Sequence, residues 1–215
     1  MVNAAMHYTL YGIQRSGSFS IEAALAEAGQ SVQLIDIDIY NDQQHTDDYR
    51  ALNPVAKLPT LRLPDGQLLT ESAAILLTLA DRHPGLLPTG TPAHPDRPQA
   101  LRWLLFLATE VYAAIEWVDY PERLAPDAPD PLRQRLVERL RQRWLLLEAA
   151  ISGDPWLLPS GFSAVDIYIA NLSRWSLGRE WRDANLPRVQ RLTRAVTARP
   201  AIAPIWARHF PDQVG

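Results

Sequence analysis

The sequence predicts a mixed four-stranded α/β domain followed by an all-helical one. Three observations carry this. A β-α-β pattern precedes a β-β-α pattern within the first 82 residues, a proline- and glycine-rich stretch breaks the chain near residues 83–97, and beyond it apolar residues recur only at helical spacing. The boundaries that follow are 1–82 for the first domain, 83–97 for a linker and 98–215 for the helical domain.

Residues 7–12, HYTLYG, read as a short aromatic and β-branched strand closed by glycine. From Ser18 to Ala28, Ile21, Ala24, Leu25 and Ala28 recur at helical spacing, with Gly29 placed as a C-cap. Residues 31–39 alternate Ile35, Ile37 and Ile39 against Asp36 and Asp38, a strand with a slip near Leu34. The polar run 41–51 is a loop or short irregular helix ending before Asn53-Pro54. Strands at 60–63 and 67–70 flank Pro64-Asp65-Gly66, a tight-turn signal. Glu71 then opens a helix with Ala74, Ile75, Leu77, Leu79 and Ala80 on its apolar face, ending before His83-Pro84. The β-α-β half requires a parallel pair with a right-handed crossover, and the Asp-Gly turn requires an antiparallel hairpin. Together they give the thioredoxin arrangement.

Five prolines and two glycines across 83–98 leave no room for a helix or central strand. Helical spacing then runs over 98–118, 131–151, 163–177 and 187–198, which predicts a bundle. All seven tryptophans fall in this half, most of them as core and a minority as candidates for an apolar ligand pocket.

Composition narrows the function. The net charge is −3 with acids and bases interspersed, which argues against nucleic acid and anionic membrane as partners. No apolar run reaches a membrane span's length, and the N-terminus lacks a basic segment leading into an apolar one, so the expected location is the cytoplasm. There are no cysteines, and the five histidines are scattered without a helical i, i+4 pair, so no metal site is expected. Any thiol chemistry must come from a ligand's sulfur.

Three segments of the first domain bear on such a ligand. In Asn53-Pro54-Val55-Ala56-Lys57-Leu58-Pro59-Thr60, a cis bond before Pro59 would free the Leu58 backbone to pair with an extended peptide. In Thr70-Glu71-Ser72, a helix start attracts a carboxylate, Ser72 adds a hydroxyl and Glu71 can hold an ammonium; this suits the amino-acid end of a γ-glutamyl group. The turn 12–20, GIQRSGSFS, offers serine hydroxyls at the end of the first strand, although Ser18 also suits a helix N-cap.

The order and spacing of these segments resemble the soluble glutathione transferase superfamily over nearly the whole chain. NPVAKLPTL followed by DGQLLTESAAI is the most specific part. A second match is GFSAVDIY at 161–168, similar to the family's helix capping box, with Ser163 as cap, Asp166 reaching back and Phe162 stapling against Ile167. A third, WLLFLATEVY at 103–112, is similar to the first bundle helix of the bacterial β class.

The resemblance implies glutathione as co-substrate, no metal and a homodimer. It implies that Leu58 pairs with the cysteinyl part, Pro59 is the cis-proline, Glu71 and Ser72 bind the γ-glutamyl end, and Lys57 reaches the glycine carboxylate. Ser16, Ser18 or Tyr11 would meet the sulfur, with Ser16 the first choice and Ser18 the helix cap. The β-class catalytic cysteine position is Gly17 here, and that class's asparagine and histidine appear as Leu105 and Tyr112, candidates for the acceptor pocket. A cysteine mechanism at that position is excluded. The activity implied is transfer of glutathione to a hydrophobic electrophile. A glutathione-dependent isomerase or peroxidase, or a non-catalytic interaction module of this fold, stands as the alternative.

Overall fold

A computed structural model describes residues 7–89 and 94–213; linker positions 90–93 lie outside it. The chain forms two compact units, one of residues up to Leu86 together with those from Arg199 on, the other Leu87–Ala198. No helix among the described residues is long and apolar enough to cross a membrane.

The first unit runs β1 (Tyr8–Gly12), α1 (Ser18–Glu27), β2 (Val32–Asp36), α2 (Asp47–Arg50), β3 (Thr60–Arg62), β4 (Leu68–Leu69) and α3 (Ser72–Arg82). The sheet order is β2-β1-β3-β4, with β1 and β2 parallel and the other two pairings antiparallel. β1 is central and buried along most of its length, as a strand covered on both faces must be. β2 is an edge strand and half exposed. Its run ends at Asp36, and Ile37 buries itself after donating its N–H to the Gly12 carbonyl at 2.8 Å. Leu10, Phe19, Ile21, Leu25, Leu61 and Ile75 form the core of this unit.

The second unit contains α4 (Arg97–Phe106), a π-helical segment Leu107–Tyr112, α5 (Ala113–Asp119), α6 (Pro129–Ala150), α7 (Ala164–Leu172), α8 (Arg179–Asn185) and α9 (Pro187–Thr197). All nine residues of α7 are buried, so this helix is the spine of the bundle. Its start is the capping box the spacing predicts: Asp166 reaches back to the Ser163 N–H at 2.7 Å. Phe162, expected to staple against Ile167, lies edge-on to Trp156.

Residues 199–213 differ from expectation. The sequence places them in the helical half, yet they cluster with the first unit, where α10 (Ala203–His209) packs on α1. Trp206, counted with the bundle tryptophans, therefore belongs to the first unit's core. The cause is Phe19, a fully buried ring whose neighbours Trp206, His209 and Phe210 all come from this segment.

Candidate functional site

The register brings the three singled-out segments to one end of the sheet. Tyr11 of β1 pairs with Thr60 of β3, and Leu61 of β3 pairs with Leu69 of β4. The turn after Gly12, the residues before Thr60 and the start of α3 therefore leave the sheet side by side.

The turn is built around one carbonyl. The Ile13 C=O lies within hydrogen-bond reach of Ser16 Oγ at 2.7 Å and Ser18 Oγ at 2.9 Å, and the two hydroxyls also meet each other. Ser18 Oγ accepts from the Ile13 N–H at 3.1 Å, and Ser16 Oγ accepts from the Ser18 N–H at 3.2 Å. Ser18 is not the helix cap that its position suggested. Gly17 holds that place without a side-chain bond, and Ser18 is the first helical residue, buried, with its hydroxyl turned back into the turn. Helical backbone at Gly17 shifts the cap one residue toward the N-terminus.

Gly12 is required here by space. A Cβ on it would sit 2.4 Å from the Ser18 Cβ and Oγ. Gly12→Ala must therefore push Ser18 off Ile13, and it is expected to cost about 1–3 kcal/mol, as overpacking does. Denaturant titration checks this, and an unchanged midpoint would show that the turn absorbs the methyl.

The approach to β3 is held from beneath. Asn53 Nδ2 and the Tyr49 hydroxyl both donate to the Lys57 carbonyl at 2.8 Å, and Tyr49 also meets Thr60 Oγ1 at 2.9 Å. Burial raises the pKa of Tyr49, which keeps it a neutral donor. The Lys57 side chain is exposed and Leu58 is half buried. The Leu58–Pro59 bond is cis, and neither the N–H nor the C=O of Leu58 has a hydrogen-bond partner among the described residues. Tyr49 carries no signal in the sequence beyond lying in the polar run 41–51, and Asn53 enters only as the head of the segment that runs to Thr60.

At the start of α3, Ser72 is buried and is the first helical residue. Glu71 precedes it with φ +64 and ψ 108, an unusual conformation for a residue with a side chain, and its carboxylate is exposed and makes no capping bond. Strained backbone of this kind concentrates at binding sites.

Tyr11 is half buried, and its hydroxyl accepts from Arg62 Nη2 at 3.4 Å on the neighbouring strand. In the helical unit, Leu105 is 54% exposed, and Tyr112 stacks on Trp175 at 5.7 Å with Tyr168 edge-on at 6.2 Å. Both lie on the long helix interrupted by the π-helical segment, a feature frequent at functional sites. Among the described residues no group of three or more His, Cys, Asp or Glu could hold a metal ion.

Residues 18–82 match the family model described as Glutathione S-transferase, N-terminal domain. Over 201 residues the chain is 30% identical to the GST-like protein YncG of Escherichia coli (strain K12), covering 93% of this chain and 97% of that one. The chain belongs to the glutathione S-transferase family. It is also 25% identical over 186 residues to glutathione S-transferase GstA of Escherichia coli O157:H7, covering 86% of this chain and 90% of that one. Among solved structures it is similar to a glutathione transferase homolog from Sulfitobacter with bound glutathione, at TM-score 0.84 and 25% identity over 94% of this chain and 98% of that one. The thioredoxin-like first domain and the helical second part are those of glutathione S-transferases. Within that family the present chain has serines around the first turn and no cysteine anywhere.

Proposed function

We propose that the protein is a cytoplasmic, homodimeric transferase that conjugates the thiolate of glutathione to a hydrophobic electrophile. The observation that carries this reading is the Ser16–Ser18 hydroxyl pair at the end of β1, beside the unpaired backbone of Leu58 and the start of α3. Glutathione lies extended along Leu58, next to Pro59, and its cysteinyl N–H and C=O pair with that backbone. Its γ-glutamyl carboxylate meets the helix start and the Ser72 hydroxyl, and its ammonium meets Glu71. Lys57 answers the glycine carboxylate.

Ser16 is the first choice for the group facing sulfur, because it lies just past the end of β1 and is part-exposed, whereas Ser18 is buried as the first residue of α1. Tyr11 is the alternative donor, its hydroxyl accepting from Arg62 on the neighbouring strand. One hydroxyl donating to a charged sulfur contributes ~1.5–3 kcal/mol. That lowers the thiol's pKa by roughly one to two units from ~8.5. Nucleophilicity falls with pKa at a slope of ~0.4–0.5, so the gain in thiolate is partly cancelled and positioning must supply the rest of the rate. Leu105 and the Tyr112–Trp175 stack are the apolar groups the helical unit offers the electrophile.

The test pairs binding with rate. Glu71→Ala and Ser72→Ala are expected to weaken glutathione binding by calorimetry while the fold stays intact. Ser16→Ala is expected to move the rate–pH profile toward the free-thiol value with little change in affinity. A profile that moves in Ser18→Ala or Tyr11→Phe instead transfers the role to that residue. Glutathione binding without turnover of chlorinated aromatic acceptors would replace transfer by an isomerase or peroxidase activity.

A further inference from the structure

The turn that carries Ser16 and Ser18 is held from a distance. Arg15 adopts φ +59, the left-handed region that suits glycine and strains an arginine. Its guanidinium pairs with the carboxylate of Asp212, 197 residues further along the chain. Both partners are largely exposed, and an exposed ion pair contributes less than left-handed backbone costs an arginine. Stability therefore does not account for Arg15. Among the described residues, the contact its side chain makes is with Asp212.

The rest of the C-terminal segment reinforces that contact. Phe19, next to Ser18, is boxed edge-on by Trp206, His209 and Phe210 at 5.3, 5.4 and 5.6 Å. One helical turn after Ser18, Glu22 lies 3.0 Å from His209 Nε2 and also accepts from Arg208. Ser18, Glu22, Arg208 and His209 line one cavity of about 100 Å³ together with Gly12 and Ile13. The segment thus grips the residues on either side of the hydroxyl pair: Arg15 before it, Phe19 and Glu22 after it.

We propose that residues 203–213 position the Ser16–Ser18 hydroxyl pair, with the Arg15–Asp212 ion pair setting the conformation of the turn. What the turn does once positioned rests on the glutathione reading above. Arg15 and Asp212 are positioning residues and touch no reacting atom.

The test uses the full chain with Asp212→Asn, Arg15→Gly, and the reversal Arg15→Asp with Asp212→Arg. Two quantities are read: amide hydrogen exchange over residues 14–19, and the pH midpoint of thiolate absorbance for bound glutathione. Asp212→Asn is expected to speed exchange in the turn about two- to five-fold, the range an exposed ion pair spans. It should raise the thiol midpoint while glutathione affinity changes less than about two-fold. Arg15→Gly should do the same although it relieves the backbone, so its melting temperature holds or rises. The reversal should restore both readings. Exchange unchanged in Asp212→Asn overturns the proposal, and so does faster exchange with an unmoved thiol midpoint. If the unaltered protein binds no glutathione, the transferase reading fails by itself, and the exchange measurement still decides whether the segment holds the turn.

Discussion

Replacing Asp166 by alanine is expected to lower stability by about 3–5 kcal/mol, one of the two largest effects foreseen for any single change. The carboxylate is fully buried and accepts from the Leu157 N–H at 2.8 Å, the Ser163 N–H at 2.7 Å and the Ser163 hydroxyl at 3.1 Å. Alanine leaves two buried N–H groups without partners, at ~1–3 kcal/mol each, and removes a helix cap worth ~1 kcal/mol. For a protein of this size that is a drop of roughly 6–20 °C in melting temperature. Activity lost at an unchanged melting temperature would make Asp166 a chemical group instead of a cap. The pH dependence has a definite sign. Burial raises the carboxyl's pKa to about 6 against the pull of the bonds from Leu157 and Ser163. The folded state therefore binds the proton more tightly than the unfolded chain, and this residue's contribution to stability falls as pH rises from about 4 to 6. Asp166→Asn removes that slope, so the gap between it and the unaltered protein should widen on acidification.

Glu22→Ala is the second large effect. Glu22 and His209 are both buried, while Arg208 is part-exposed, which puts the expected loss at about 2–4 kcal/mol, the low side of what breaking a buried charge pair costs. Burial pushes the Glu22 pKa up, but the bonds from His209 and Arg208 outweigh it and leave the carboxyl below its ordinary value. The sign is opposite to that of Asp166. Stability from ionised Glu22 is present above its unfolded pKa of about 4.5 and is lost as pH falls through the lower folded one. The gap between the unaltered protein and Glu22→Gln should therefore close on acidification while the Asp166→Asn gap opens. Chemical denaturation from pH 7 down to about 3 reads both, and parallel slopes in the two variants would contradict the assignment.

Those two residues also mark how far the sequence could be read. Ser163 and Asp166 were legible because a capping box is local, three residues apart on one helix start. The hairpin around Asp65-Gly66 was legible for the same reason, and so was the order of strands and helices. Glu22 was not, because its partners lie 186 and 187 residues away and no spacing rule connects them. The short helices α8 and α10, seven residues each, carry too few periods to stand out from their surroundings. The π-helical segment 107–112 left no trace, since its apolar residues fit an α-helix equally well. Within the candidate site, Leu58, Pro59, Glu71 and Ser72 could be singled out by residue type. The way Ser18 folds back onto Ile13 depends on the backbone at Gly17, which sequence does not specify.

The return of residues 199–213 to the first unit bears on the order of synthesis. Glu22 leaves the ribosome 187 residues before His209. At ~5–20 residues per second, roughly 10–40 s pass before the rings that enclose Phe19 exist at all. Through that interval the earliest-made unit has a sheet but an open flank, whereas the helical unit, drawn from residues 87–198, can close as soon as it emerges. The part of the chain born first is thus the part finished last, and nascent chains arrested before Arg199 should expose Phe19 to chaperones and proteases that the released protein excludes.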